Sequence, residues 1–191
     1  MKRAAKIYTA LIFVFLFAPI VILLVFSFNE AKSLSVFSGF SLKWYQELFR
    51  DGETLNALKN TLILAVVASL VSTAMGTAAA VSMNRMRNKY LRAALDTATD
   101  IPMMNPDIIT GISLFLLFVS LGISQGLTTV VLAHITFCTP YVVLSVMPRL
   151  KQMNQNIYEA ALDLGATPFQ ALRKVIFPEI RPGMISGFIL A

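Results

Sequence analysis

Chemistry-bearing residues are scarce in this chain. One cysteine, Cys138, and one histidine, His134, occur in 191 residues. A lone thiol excludes an internal disulfide and any multi-cysteine metal centre, and its place in an apolar run suits plain packing. His134 precedes Cys138 by four residues, which puts both on one helix face. Two such groups fall short of the three protein ligands a zinc site needs, so no metal is expected. A helix–helix hydrogen bond is the role expected of His134. The sequence also lacks G-x-x-x-x-G-K-[ST], H-E-x-x-H and G-x-S-x-G. It therefore offers no P-loop for ATP, no zincin helix and no nucleophile elbow, and neither a catalytic set nor a cofactor is expected. Charge is sparse too, at 14% of residues.

What fills the sequence instead is apolar. Hydrophobic residues make up 57% and the mean hydropathy is +0.71, an excess that marks an integral membrane protein. A hydrocarbon core about 30 Å thick needs roughly 20 apolar residues in helix. Runs 8–28, 61–83, 101–121 and 127–147 meet that length, and a fifth begins at 183–191. The first run is too long for a signal-peptide core and no A-x-A-like site follows it, so a retained helix is expected. No repeat or linker breaks the chain, so a single all-α membrane domain, residues 1–191, is expected.

The net charge of +6 is not spread as a nucleic-acid surface would be, and no nucleic acid is expected as a partner. Twelve of the sixteen basic residues fall before the first run, between the second and third, or after the fourth. The excess of Lys and Arg on one side sets the N-terminus and residues 148–182 in the cytoplasm. The longest external loop, 29–60, carries Leu42, Tyr45, Leu48 and Phe49 at helical spacing beside Trp44. This predicts a short amphipathic helix at the outer interface, serving as an anchor for the loop or a surface for an external partner. Gly76, Ala79 and Ala80, with Ser69, Ser72 and Thr73, form a small-residue surface suited to close helix packing.

Residues 148–182 carry the densest information. Pro148 is expected to end the fourth run. Ile157, Ala160, Ala161 and Leu164 then recur at i, i+3, i+4 and i+7, which predicts a short helix. Gly165 can take the left-handed conformation that ends it. Thr167, Pro168 and Gln170 form a capping-box start for a second helix, expected to run to about Phe177 before Pro178 and Pro182 interrupt.

Glu159-Ala160-Ala161, three residues, Gly165, nine residues, then Val175-Ile176-Phe177-Pro178 resembles the EAA loop of permeases in the binding-protein-dependent ABC importer family. Val175 and Phe177 stand where Ile and Leu are usual; the spacing is kept in full. Lys43-Trp44-Tyr45, Met104-Asn105-Pro106-Asp107-Ile108-Ile109, and His134-Ile135-Thr136-Phe137-Cys138 with Pro140 look like the C-type permease subunit of spermidine/putrescine importers. The resemblance implies the all-α, MetI-like multi-span permease fold in a bacterial inner membrane. It further implies that Glu159, Ala160, Ala161, Gly165 and Pro178 couple the chain to a dimeric ATP-binding subunit. A second permease subunit and an extracytoplasmic substrate-binding protein would complete the machine. Such permeases continue through a complete fifth span and a sixth, so the sequence is expected to be a fragment.

Polyamines are chains of ammonium groups, and a path for them needs carboxylates and aromatic faces. Asp107, inside the third run after Pro102 and Pro106, is the foremost candidate, because an ionisable group in a span is functional by default. The opposing reading has it capping a broken helix near the cytoplasmic interface. Tyr141, after Pro140, is the second candidate, and packing its alternative. Asp96 and Asp100 are assigned to helix-end structure. Alternative readings are an ABC importer of ferric iron, thiamine or an anion, and a stand-alone secondary transporter, which would have no use for the EAA loop.

Overall fold

The computed structural model describes residues 2–104, 106–154 and 156–191, with side chains from Lys6 onward. Asn105, within the Met104-to-Ile109 stretch, lies outside the described residues, as do Met1 and the side chains of Lys2 and Arg3. Among the described residues no strand forms beyond an isolated bridge between Asn29 and Phe40. Where the sequence suggested one domain, the contacts divide into two compact units, Met1–Lys59 and Asn60–Ala191.

The first unit holds α1 (Lys2–Phe26) and α2 (Lys43–Leu48). The loop between them folds around the Asn29 side chain, which is fully buried. Its Nδ2 donates to the carbonyls of Ser33 and Val36 at 2.9 and 2.8 Å, and its Oδ1 accepts from the Ser38 N–H at 2.8 Å. A buried amide with every group bonded holds a loop in one shape. Trp44 Nε1 donates to the Asn29 carbonyl at 2.9 Å, and the Tyr45 hydroxyl lies 2.7 Å from that of Ser27. Both aromatic residues of α2 thus turn back onto the loop, which is the anchoring role. Asp51 accepts from the Thr54 hydroxyl and from the Glu53 N–H. Those bonds, the Thr54 one foremost, hold its carboxyl below the usual range. This cap is complete above the usual carboxylate range and is lost as pH falls.

After the cap come α3 (Gly52–Asn84), α4 (Lys89–Met104), α5 (Asp107–Ser120) and α6 (Leu127–Gln152). Among the described residues three helices are long and apolar enough to cross a membrane: Lys6–Phe26 within α1, α3 and α6. The number is four if the bent pair α4 and α5 counts as one. That pair corrects the expected single run 101–121. α4 ends at Met104, α5 starts at Asp107, and the two meet at 108°. Pro106 is the physical cause: it has no N–H, and it sits in the extended region at φ −57°, ψ 133°. A second correction concerns Pro148, which does not end α6. A proline removes one backbone bond, and packing of α9 along α6 outweighs that loss.

The last elements are α7 (Asn156–Asp163), α8 (Pro168–Ala171), a π turn (Leu172–Ile176) and α9 (Phe177–Leu190). Here the third correction falls. Pro178 and Pro182 do not interrupt; the backbone stays right-handed helical from α8 through the π turn into α9. The Phe177 N–H donates to the Leu172 carbonyl five residues back, which is the π-bulge pattern. Pro178 follows directly in the first turn of α9, where the π turn has already shifted the backbone bonding that a proline cannot continue.

The buried core joins Ala80 and Met83 of α3, Val142, Val146 and Leu150 of α6, and Ile176 and Ile180 at the π turn and α9. Small residues let these helices approach. A Cβ on Gly76 would stand 2.6 Å from Val142 Cβ, as the small-residue surface of α3 suggested. Sequence reading passed over Gly183 and Gly187, a G-x-x-x-G pair that brings α9 onto α6. A Cβ on Gly183 would lie 2.8 Å from the Ser145 carbonyl oxygen, which is backbone and cannot swing aside. Gly183→Leu is therefore expected to separate α9 from α6 and destabilise the unit by about 1–3 kcal/mol. A lowered melting temperature in detergent would register it, whereas Ile185→Leu, at an exposed position, should leave melting unchanged.

Candidate functional site

α7 and α8 form a helix–turn–helix whose geometry follows from its residues. Gly165 has φ +87°, a region that favours glycine. Its N–H donates to the Leu162 carbonyl at 2.9 Å, and the Ala166 N–H donates to the Ala161 carbonyl at 3.0 Å. These two bonds make a Schellman ending. The start of α8 is closed reciprocally. Gln170 N–H donates to Thr167 Oγ1 at 3.3 Å, and Thr167 N–H donates to Gln170 Oε1 at 2.9 Å. This is the capping box read from the sequence.

The turn holds α7 with two different faces. Tyr158, Ala161 and Leu162 are half-buried, and Tyr158 packs against the buried core. Its ring also carries the Arg85 guanidinium at 3.7 Å, a cation–π contact that ties α7 to the segment after α3. The other face is uncovered. Glu159 and Ala160 are exposed, Ile157 is 46% exposed, Leu164 89%, and Phe169 at the start of α8 68%. Three large apolar side chains are thus exposed together with the carboxylates of Glu159 and Asp163, on a helix pinned from behind, the kind of patch that marks a candidate protein contact. Pro178 is not on this surface; it lies beyond the π turn, at the head of α9. The five residues expected to act together are thus split, four on α7 and its turn and one, Pro178, at the head of α9.

The other sequence candidates meet between α5 and α6. Asp107 occupies the first turn of α5 and lines a cavity of about 190 Å³ with Thr110, Gly111 and Leu114 from α5 and Ala133, His134 and Phe137 from α6. Tyr141 is not among the lining residues. Its ring meets Phe137 edge-on, centroids 5.5 Å apart, so it supports the cavity wall from behind. His134 differs from expectation. Its Nδ1 lies 2.8 Å from the Val130 carbonyl of the same helix, not against a neighbouring helix. Asp96 and Asp100 stand within α4 and not at its end; with Thr99, Val143 and Lys151 they line a separate cavity of about 290 Å³. Among the described residues no three His, Cys, Asp or Glu side chains gather where they would hold a metal.

Comparison with known proteins bears on both places. Residues 72–191 match a family described as binding-protein-dependent transport system inner membrane component. The chain is 41% identical over 188 residues to the putrescine transport system permease protein PotI of Escherichia coli, covering 94% of this chain and 66% of that protein. It is 38% identical over 180 residues to the spermidine/putrescine transport system permease protein PotC of Escherichia coli, covering 94% and 68%. The PotC protein of Haemophilus influenzae is 36% identical, with 94% and 70% covered. The chain thus spans about two thirds of the length of these curated relatives.

Proposed function

Because the chain belongs to the family of binding-protein-dependent transport system inner membrane components, we propose that it is a permease subunit of an ATP-driven ABC importer of polyamines. The ATP-hydrolysing step belongs to a separate, dimeric subunit. A second permease subunit completes the pathway, and an extracytoplasmic binding protein delivers the substrate. The N-terminus and residues 148–182 face the cytoplasm, as the distribution of basic residues indicates.

The observation that carries this reading is the uncovered face of α7 around Glu159, set by the left-handed turn at Gly165. An ATP-binding subunit that grips this face and moves displaces α7 as a rigid body. The displacement passes through the capped turn into the helical segment 168–190. That segment is embedded against α6 through Leu172, Ile176 and Ile180, and Leu150 and Val146 belong to the same core cluster. α6 in turn carries one wall of the Asp107 cavity, while α5 carries the other. Movement of α6 against α5 therefore opens and closes the place where the cation rests.

Depth supports the same assignment. α5 has 14 residues and spans about 21 Å at 1.5 Å each, short of a core about 30 Å thick. With the α5–α6 turn at the outer surface, Asp107 at the far end of α5 lies inside the membrane. A carboxylate there answers to a cationic substrate. Relatives that carry putrescine or spermidine by name agree with that chemistry.

Deletion of residues 159–165 from the full-length protein tests the reading. Labelled putrescine uptake is expected to vanish while the protein still accumulates in the membrane. Uptake that survives the deletion would make the chain a stand-alone transporter.

A further inference from the structure

We infer that His134 is a substrate-binding residue that passes an ammonium group from an outer cavity to the Asp107 cavity, accepting one of its N–H bonds on Nε2. The inference rests on the polyamine reading above and adds a second ligand and a direction to it.

Two cavities meet at this residue. The Asp107 cavity has Gly111, Ala133 and His134 in its lining. A second cavity, of about 140 Å³, shares those three residues and continues to Gln125 at the α5–α6 turn. His134 therefore stands where the route from the turn reaches Asp107. The rotor of its ring is set by one bond. A carbonyl oxygen only accepts, so the 2.8 Å contact to Val130 O places the proton on Nδ1. In the neutral ring Nε2 then holds a lone pair, and it is the nitrogen remote from the α6 backbone. An ammonium offers three N–H donors. The Asp107 carboxylate takes one, His134 Nε2 another, and the Phe137 ring lines the same cavity as a face for the charge.

Among the described residues Asp107 is the charged group that lines the cavity with His134. From α4, Asp96 and Asp100 line the separate cavity with Lys151. On α3, which reaches α6 through a 3.4 Å bond from Ser72 to the Ile135 carbonyl, residues 60–84 carry no charge; on α9, Glu179 and Arg181 lie at the opposite end from Ala191, whose carbonyl accepts from Cys138.

The test uses the full-length protein with its ATPase and partner permease in proteoliposomes, supplied with putrescine-loaded receptor. His134→Phe keeps the bulk and removes the acceptor; uptake is expected to fall about tenfold, as for loss of one bond to a charged group, with receptor-stimulated ATP hydrolysis retained. His134→Gln, whose amide oxygen can accept, is expected to recover part of the loss. His134→Leu, which also lacks an acceptor, is expected to lose as much uptake as His134→Phe. Uptake by His134→Phe equal to wild type, or by His134→Gln no better than by His134→Phe, would overturn the inference. Should His134→Phe fail to assemble, the paired uptake of His134→Leu and His134→Gln still decides. Putrescine uptake absent from the wild type would instead remove the polyamine reading. Uptake impaired by Asp107→Asn but untouched by any His134 variant would remove only the role of His134.

Discussion

Gly165→Val is expected to abolish ATP-driven uptake while leaving the protein inserted and assembled. The reason is confined to the backbone. At φ +87° a β-branched residue is strained, by about 1–2 kcal/mol from the left-handed conformation alone. A Cβ there meets nothing within 4 Å, so no clash contributes and no buried packing is lost. The cheapest escape is to abandon the Schellman turn and re-aim α7 relative to α8. In the proposed function α7 docks the ATP-binding subunit and the segment 168–190 transmits its motion, so a changed turn disconnects the two. Asparagine tolerates this conformation better than other residues with a side chain. Uptake should therefore decline in the order Gly, Asn, Ala, Val, measured against a constant amount of protein in the membrane. Equal uptake across that series would sink the coupling role of the turn.

Asp107→Asn is the second substitution with a large expected effect. It preserves shape and removes the charge. If the carboxylate binds an ammonium, the loss is that of a charge-assisted bond, about 1.5–3 kcal/mol, and uptake should drop roughly 10- to 100-fold at unchanged assembly. Were Asp107 merely favouring the N-terminus of α5, its charge would be worth about 0.3–1 kcal/mol. The change would then appear as a small fall in melting temperature with uptake intact. Measuring both quantities on one preparation separates the two roles.

The comparison between sequence and structure turns on range. Everything local around Gly165 was legible beforehand: the end of α7, the αL glycine, and the Thr167–Gln170 capping box. Such features depend on bonds within a few residues of chain. The α2 helix was legible from its spacing and the close packing at Gly76 from side-chain size, although its partner Val142 on α6 was not. The effect of proline was not legible from the sequence: one run was expected through Pro106, and interruptions at Pro148, Pro178 and Pro182. Pro106 breaks the chain between α4 and α5, yet Pro148, Pro178 and Pro182 all lie within helices. The residue is identical in each case. What differs is tertiary support: α6 and α9 lie along one another, and a π turn absorbs the misfit before Pro178.

His134 shows the same limit at a candidate site. Its face on α6 was predictable, and its bond to Val130 lies within α6 itself; its position between two cavities was not, because that depends on where α5 lies. Asp107 could be singled out as an ion in an apolar run, though not placed opposite His134 and Phe137.

By itself the sequence determined that this is a helical membrane protein, with its basic residues clustered at the ends of apolar runs and a helix–turn–helix of defined length after the fourth run. Those properties follow from hydropathy, charge and short-range spacing, which act along the chain. The tertiary structure alone decided that the third apolar run is broken at Pro106. It also decided that the second helix of that turn runs without interruption into α9, and that an acid, an imidazole and an aromatic ring share one cavity. Each of these is a balance between a local cost and packing against a helix distant in sequence, and only the assembled helices supply the second term.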